Sequence, residues 1–259
     1  MSNKFERTGR IVRLLRERNG ASIKELSQEL AVSEMTIRRD LNHLQQSNII
    51  SLVHGAAIYK SSSQPAGKEF DYQLILEKSV NNPEKERIGK AAAQLVKQGD
   101  TIIIDIGTTT EHLARYIPQN SSITVLCFTI NVLFEVYKKN VQSLIMGGGY
   151  YHADTQLFES PDSVNFIRQT RANKFFMSAA GVSNELGLTC INQYEVGIKQ
   201  ACIGSSLQKI LLADSKKFGQ IRPAFFTTLE KIDWVITDKG ISPEWIKIME
   251  DMGITMQVV

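Results

Sequence analysis

The sequence predicts an α/β protein in two parts: a small, basic, mostly helical head, then a larger domain whose helices cover both faces of a mostly parallel sheet. Three observations lead there. Charge is unevenly divided: residues 1–60 carry ten Lys/Arg and six Asp/Glu, whereas residues 61–259 carry twenty and twenty-one. The first sixty residues hold three short amphipathic helical patterns followed by two short apolar runs. From residue 71 onward, near-continuous apolar runs alternate with helical patterns, as parallel strands buried on both faces require. The predicted bounds are residues 1–59 for the head, 60–70 for a linker and 71–259 for the α/β domain.

The first helix is read from Arg7 to Arg18. Ile11, Val12, Leu14 and Leu15 form its apolar side, its polar face is arginine-rich, and Asn19-Gly20 ends it. In SIKELSQEL, Ser22 and Glu25 have the spacing of a capping box, with Ile23, Leu26 and Leu30 on one face. Ala31-Val32 makes a short turn. Ser33 then caps a third helix through EMTIRRDLNHLQQ, in which Ile37, Leu41 and Leu44 repeat at i, i+4 and i+7 and point inward. Its other face presents Glu34, Met35, Arg38, Arg39 and Asn42, with Thr36 at the N-terminal edge.

Two short helices with a tight turn, the second basic outside, meet the physical requirements of helix-turn-helix DNA recognition. The second helix fits the major groove, where Arg donates two bonds to guanine O6/N7. Ile49-Ile50-Ser51-Leu52-Val53 and Ala56-Ala57-Ile58-Tyr59 flank His54-Gly55 as a two-stranded wing, which sets His54 or a backbone amide against a phosphate. Arg38-Arg39 alone would describe a solvated face; the ordered helices, turn and wing, with the charge asymmetry, point to a polyanion. The candidate DNA contacts are Ser33, Met35, Thr36, Arg38, Arg39, Asn42 and His54. VSEMTIRRDLNHL followed by VHGAA resembles the DNA-binding head of the DeoR family of bacterial transcription regulators. The resemblance implies a winged helix-turn-helix. The family's usual wing reads His-Gly-Gly-Ala, where this chain has His54-Gly55-Ala56-Ala57.

Residues 60–70, KSSSQPAGKEF, lack periodicity and are rich in Ser, Pro and Gly, as a flexible linker is. Beyond it, Asn82-Pro83 opens a helix running through IGKAAAQLV to a Gln98-Gly99 stop. TIIIDIG reads as a strand, TTTEHLARYI as a helix, SITVLCFT as a strand, NVLFEVYKK as a helix and QSLIMGGG as a strand. KFFMSAAGV, KILLADS and DWVITDK are further strands; QYEVGIKQACIGSSLQ and SPEWIKIMEDM are helices, the last opened by Ser242-Pro243.

In parallel sheets ligands sit at the carboxyl ends of strands. The first such end offers Asp105-Ile106-Gly107-Thr108-Thr109-Thr110: Gly107 permits close backbone approach, and the helix-start amides and hydroxyls favour an anion. A Thr-rich helix start is equally a plain N-cap, and no Gly-Lys-Ser/Thr follows to make a Walker loop. The second end offers Asn131, read as a helix cap. The third offers Gly147-Gly148-Gly149, then His152 and Asp154 to meet hydroxyls; the fourth, Ser178-Ala179-Ala180-Gly181; the fifth, Asp214 with Lys216 and Lys217. Glu195 and Lys199 lie one helical turn apart, which is also the spacing of an ordinary ion pair. The candidate ligand contacts are Asp105, Gly107, Thr108, Thr109, Thr110, Gly148, Asp154, Ser178, Gly181, Glu195, Lys199, Asp214 and Lys217.

The resemblance extends over almost all of residues 75–240: Asp-x-Gly-Thr-Thr, Gly-Gly, the strand before Gly181, a Glu in the next helix, and Asp-x-Ser-Lys-x-Gly. One position departs, since Lys216 stands where the family has the serine before its lysine. The family implies a fold similar to ribose-phosphate isomerases and coenzyme A transferases, and a phosphorylated sugar as effector of an operon repressor. A sugar-phosphate isomerase with an accessory DNA-binding domain is the alternative. It needs a carboxylate poised to move a proton, and Ser178-Ala179-Ala180-Gly181 supplies none where related isomerases carry acidic residues.

Composition narrows the partners. No segment reaches the ~18 uninterrupted apolar residues of a membrane span, and MSNKFERTGR lacks the apolar core of a secretory signal. Cys127, Cys190 and Cys202 form no CxxC pair, which fits reduced thiols in the cytoplasm, and the four histidines show no metal-ligand spacing. The expectation is a cytoplasmic homo-oligomer that binds operator DNA and a phosphorylated sugar, with no metal and no cofactor.

Overall fold

A computed structural model describes residues 4–18, 20–46, 50–53, 56–59 and 82–259. The chain divides into two compact units, Met1–Val80 and Asn81–Val259. The predicted linker, residues 71–81 of the predicted α/β domain, Asn19 and His54 lie outside the described residues.

In the first unit, α1 spans Lys4–Arg18, β1 Ala21–Ser22, α2 Ile23–Leu30, α3 Glu34–Gln46, β2 Ile50–Val53 and β3 Ala56–Tyr59. Helical periodicity explains the packing. Ile11, Val12 and Leu15 of α1 meet Ile23, Leu26 and Leu30 of α2 and Ile37, Leu41 and Leu44 of α3, all buried in one core with Ile50 and Ala57. Both halves of the Ser22/Glu25 capping box form, the Ser22 amide donating to Glu25 at 2.7 Å and the Glu25 amide to Ser22 Oγ at 3.2 Å. The α2–α3 turn is held by Ala31 in the left-handed region at φ 51, with the Val32 amide donating to the Ser27 carbonyl at 3.2 Å. The wing is an antiparallel hairpin in register Ile50↔Tyr59 to Val53↔Ala56. Its third strand, β1, was not expected, because two residues between helices are too few to show alternation.

In the second unit the chain runs α4 Asn82–Ala93, β4 Thr101–Ile104, α5 Thr108–Tyr116, β5 Thr124–Cys127, α6 Ile130–Tyr137 and β6 Ser143–Met146. A hairpin follows, β7 Tyr150–His152 and β8 Leu157–Glu159, then α7 Pro161–Gln169 and β9 Ala172–Met177. Next come β10 Gly181–Ser183, β11 Gly187–Cys190, α8 Val196–Ser205, β12 Ser206–Leu212 and β13 Ala224–Thr227. The chain closes with β14 Trp234–Thr237, α9 Pro243–Asp251 and β15 Thr255–Val258. Seven strands form one sheet in the order β15-β14-β12-β9-β4-β5-β6, with every pairing parallel.

Alternation along the strands separates two apolar layers. Ile102, Ile104, Val125, Phe176 and Ile236 pack with Ile88, Leu113 and Val132 of α4, α5 and α6. Ile103, Leu126, Phe175, Leu211 and Val235 pack with Ile167, Ile198 and Met249 of α7, α8 and α9. The strands are apolar at successive positions because both faces are covered.

Several elements differ from the sequence reading. Helix α4 stops at Ala93, short of the expected Gln98-Gly99; Gln94, Leu95 and Val96 continue in tighter turns, each amide reaching the carbonyl three residues back. KFFMSAAGV is two strands, because Ser178 to Ala180 turn the chain out of the main sheet into a small antiparallel sheet, β10-β11-β13. Ser206 begins β12 instead of extending α8. Helix α7 is an addition, though its Ser160-Pro161 start carries the signal that marks Ser242-Pro243.

Candidate functional site

In the first unit, α3 presents a polar face opposite its core face. Met35, Arg38, Arg39 and Asn42 are exposed. Ser33 acts as the expected cap: its Oγ accepts from the Thr36 amide at 3.2 Å and lies 2.9 Å from Thr36 Oγ1. Behind the face, Asp40 is buried at 2% exposure and accepts from Arg7 Nε at 2.6 Å and Nη2 at 3.3 Å. This fork raises the Arg7 pKa above its ordinary value, chiefly through the hydrogen bond to Asp40. It fastens α3 to α1, so the tilt of the polar face is set from inside the unit. Sequence reading missed Asp40. The signal was there, since Asp40 falls three residues after core-facing Ile37, where a carboxylate must find a partner.

In the second unit the sheet order reverses at β4. The chain steps from β4 to β5 and β6 on one side, then crosses to β9, β12, β14 and β15 on the other. The carboxyl ends of β4 and β9 therefore flank the topological switch point, the natural crevice of an open parallel sheet. Asp105 follows β4 and Ser178 follows β9. Asp105 Oδ2 accepts from the Ser178 amide at 2.9 Å and from Lys199 Nζ at 2.5 Å. Lys199 also donates to the Ser178 carbonyl at 3.1 Å. Ser178 Oγ donates to the Ile106 carbonyl at 2.5 Å. Lys199 and Asp105 are each 1% exposed and Glu195 5%.

Electrostatics explain why these groups belong together. Burial pulls the Lys199 ammonium down, but the charges of Asp105 and Glu195 outweigh it and its pKa stands above the ordinary value. Burial pushes Glu195 up to about 7 against the opposing pull of Lys199. Asn192 steadies Glu195, donating to Oε1 from its side chain at 3.0 Å.

The Gly107-Thr108-Thr109-Thr110 turn rises from this cluster. Gly107 is the N-cap of α5 at φ 147, and no side chain caps the helix. A Cβ on Gly107 would lie 3.0 Å from Ser178 Oγ and 3.2 Å from Thr110 Oγ1, so conformation and space both call for glycine. The three threonines are buried, and Thr110 Oγ1 donates to the Gly107 carbonyl at 3.0 Å. Glu111, the first-turn acid, pairs with Arg115 one turn on and accepts from Asn131 Nδ2 at 2.8 Å. Asn131 Nδ2 also lies 3.5 Å from the Gly107 carbonyl. The sequence suggests a helix cap at Asn131. In the structure Thr129 holds that position, and Asn131 braces the turn instead.

The remaining predicted residues stand around this centre. Gly148 follows β6, and its carbonyl accepts from Ser160 Oγ at 3.1 Å and Ser163 Oγ at 2.5 Å. Asp154, in the β7–β8 turn, is exposed and takes the Tyr194 hydroxyl on both oxygens at 3.1 and 3.0 Å. The Tyr194 ring stacks on His152 at 3.6 Å, which ties the hairpin to the residue before Glu195. Tyr194 carried no local signal. Gly181 opens β10 against the Gln220 carbonyl. Asp214 follows β12, the strand beside β9, and accepts from the Lys216 amide at 3.2 Å; Lys217 is half-buried in the same short turn. That turn joins β10 through the Val182↔Phe218 bridge. The structure thus brings Asp105, Gly107, Ser178, Glu195 and Lys199 to one point, with Gly148 and Asp214 at strand ends to either side.

The three cysteines are free and buried. Among the described residues no His, Cys, Asp or Glu groups gather as a metal site, and no helix is long and apolar enough to cross a membrane.

A basic helix-turn-helix unit joined to an α/β unit with buried polar groups gathered at its switch point fits one class: DNA-binding regulators that sense a small molecule. Residues 7–63 match the DeoR-like helix-turn-helix domain, and residues 80–239 match the DeoR C terminal sensor domain. The chain is 35% identical over 254 residues to the HTH-type transcriptional regulator GolR of Listeria innocua, covering 98% of each chain. It is 31% identical over 251 residues to the deoxyribose operon repressor of Escherichia coli, covering 97% of each. A ribose 5-phosphate isomerase A structure from Methanocaldococcus jannaschii aligns with TM-score 0.39 at 16% identity, over 53% of this chain and 55% of that one. The chain belongs to the DeoR family of transcriptional regulators. It is a DNA-binding regulator and not an enzyme, which sets aside the isomerase alternative.

Proposed function

We propose that the protein represses a carbohydrate or nucleoside catabolic operon and that a phosphorylated sugar releases it from its operator. The observation that carries the effector half is the α5 N-terminus at the switch point. Its amides are uncapped by any side chain, three buried threonines surround it, and it rests on the Asp105–Lys199 pair. Such an end favours an anion through the helix dipole and free donors together.

In this reading Gly107 and Thr108 to Thr110 hold the phosphate. Asp105, Lys199 and Glu195 act from behind, fixing Ser178 and the end of β9. Gly148, Asp154, Gly181, Asp214 and Lys217 form the sugar-facing rim. On the other unit, Arg38, Arg39, Met35 and Asn42 face the groove, Ser33 and Thr36 shape the helix start, and His54 contacts the backbone.

Homo-oligomers set two or more heads on paired half-sites in the cytoplasm, and no cofactor or metal enters the reading. Effector binding shifts the oligomer to an arrangement in which the heads no longer match those sites. By linkage, operator-bound protein must then bind effector more weakly by the same factor. A thermal-shift screen of phosphorylated sugars tests the effector half. A true effector at a hundred times its Kd stabilises the protein by about 2.7 kcal/mol, and its dephosphorylated form does not. Equal shifts with both forms would overturn the phosphate assignment.

A further inference from the structure

We propose that Met35 is a base-reading residue that packs against the C5-methyl group of a thymine in the operator's major groove. This rests on the reading of α3 as the groove-facing helix. Met35 is 61% exposed, whereas every other large apolar side chain described in the head is buried or half-buried. It lies in the first turn of α3 and shares a stripe with exposed Arg38, Arg39 and Asn42, which follow at helical spacing.

The hydroxyls of that turn are already engaged. Ser33 Oγ takes the Thr36 amide at 3.2 Å and pairs with Thr36 Oγ1 at 2.9 Å. They hold the helix end, so Met35 and Glu34 make the outward reach of the turn that enters the groove first. A thioether chain carried into the major groove leaves apolar surface stranded unless it meets an apolar partner. Among the groups on the base-pair edges, the thymine methyl is that partner. Methionine suits the contact because its unbranched chain adapts to a small target. Arg38 and Arg39 beside it suit guanine O6/N7, so the face fits a half-site where thymine neighbours guanine.

The test uses the full chain. The protein selects its operator from a random duplex pool, and each thymine of the selected site is replaced in turn by deoxyuridine, which removes the methyl group alone. At one thymine per half-site the wild type weakens about fourfold, the worth of one buried methyl. Met35→Ala binds the thymine and deoxyuridine duplexes alike, and Met35→Leu keeps the discrimination. The position is exposed, so both variants melt with the wild type. Wild-type indifference to every deoxyuridine overturns the proposal, as does Met35→Ala that still discriminates at the same thymine. A pool that yields no preferred duplex overturns the groove-facing reading of α3, and the role of Met35 with it.

Discussion

Lys199 Nζ lies 2.5 Å from Asp105 Oδ2, with both side chains only 1% exposed. The same ammonium donates to the Ser178 carbonyl at 3.1 Å. One side chain of α8 thus joins the ends of β4 and β9, the two strands that flank the switch point. Desolvation offsets much of the attraction in such a pair, so its value is geometric: it fixes where Ser178 and the Gly107 turn stand.

Removing one partner leaves a buried charge uncompensated. Lys199→Met is therefore expected to destabilise the α/β unit by roughly 3–5 kcal/mol, as measured by urea unfolding. A loss below about 1 kcal/mol would show that the Asp105 carboxylate finds water or another partner, contrary to the burial of both side chains.

Glu195 gives the site a pH signature. Burial raises its carboxyl to about 7 in the folded chain, against an ordinary value of about 4.3. The folded state holds the proton longer, so stability from this group is fully present at acidic pH. It is lost as pH rises from about 4.3 through about 7. Glu195→Gln should flatten the fall in unfolding free energy across that window. Parallel curves for the two proteins would contradict the assignment.

Gly107 combines a positive φ with a crowded Cβ position against Ser178 Oγ. Gly107→Ala should displace the turn and abolish the thermal shift given by a phosphorylated sugar, while DNA binding by the head persists. An unchanged effector response would place the anion elsewhere.

On the DNA face, Arg38→Ala should cost about 1–3 kcal/mol of specific binding and relax base preference at one position of each half-site. A smaller loss, uniform across sequences and accompanied by a shallower salt dependence, would make Arg38 a phosphate contact instead.

Local chemistry made much of this legible. The Ser22/Glu25 box, the Ile37-Leu41-Leu44 face and the apolar runs of the sheet each declare themselves within a few residues. What stayed hidden depends on residues far apart in the chain. Asp40 finds Arg7, Asn131 finds Gly107 and Glu111, and Tyr194 finds His152 and Asp154. Glu195 and Lys199 show the same limit from the other side. Their spacing reads as a local ion pair, yet Lys199 donates to Asp105 and to the Ser178 carbonyl, at two other strand ends. Short strands such as β1 and β7 escaped because two or three residues cannot display alternation.

Release by an effector is read from operator binding by the full chain, measured with and without a panel of phosphorylated sugars. At least one of them is expected to weaken operator binding, its dephosphorylated counterpart is not, and Gly107→Ala is expected to remove the effect. Operator affinity unchanged across the whole panel would rule out release by a phosphorylated sugar.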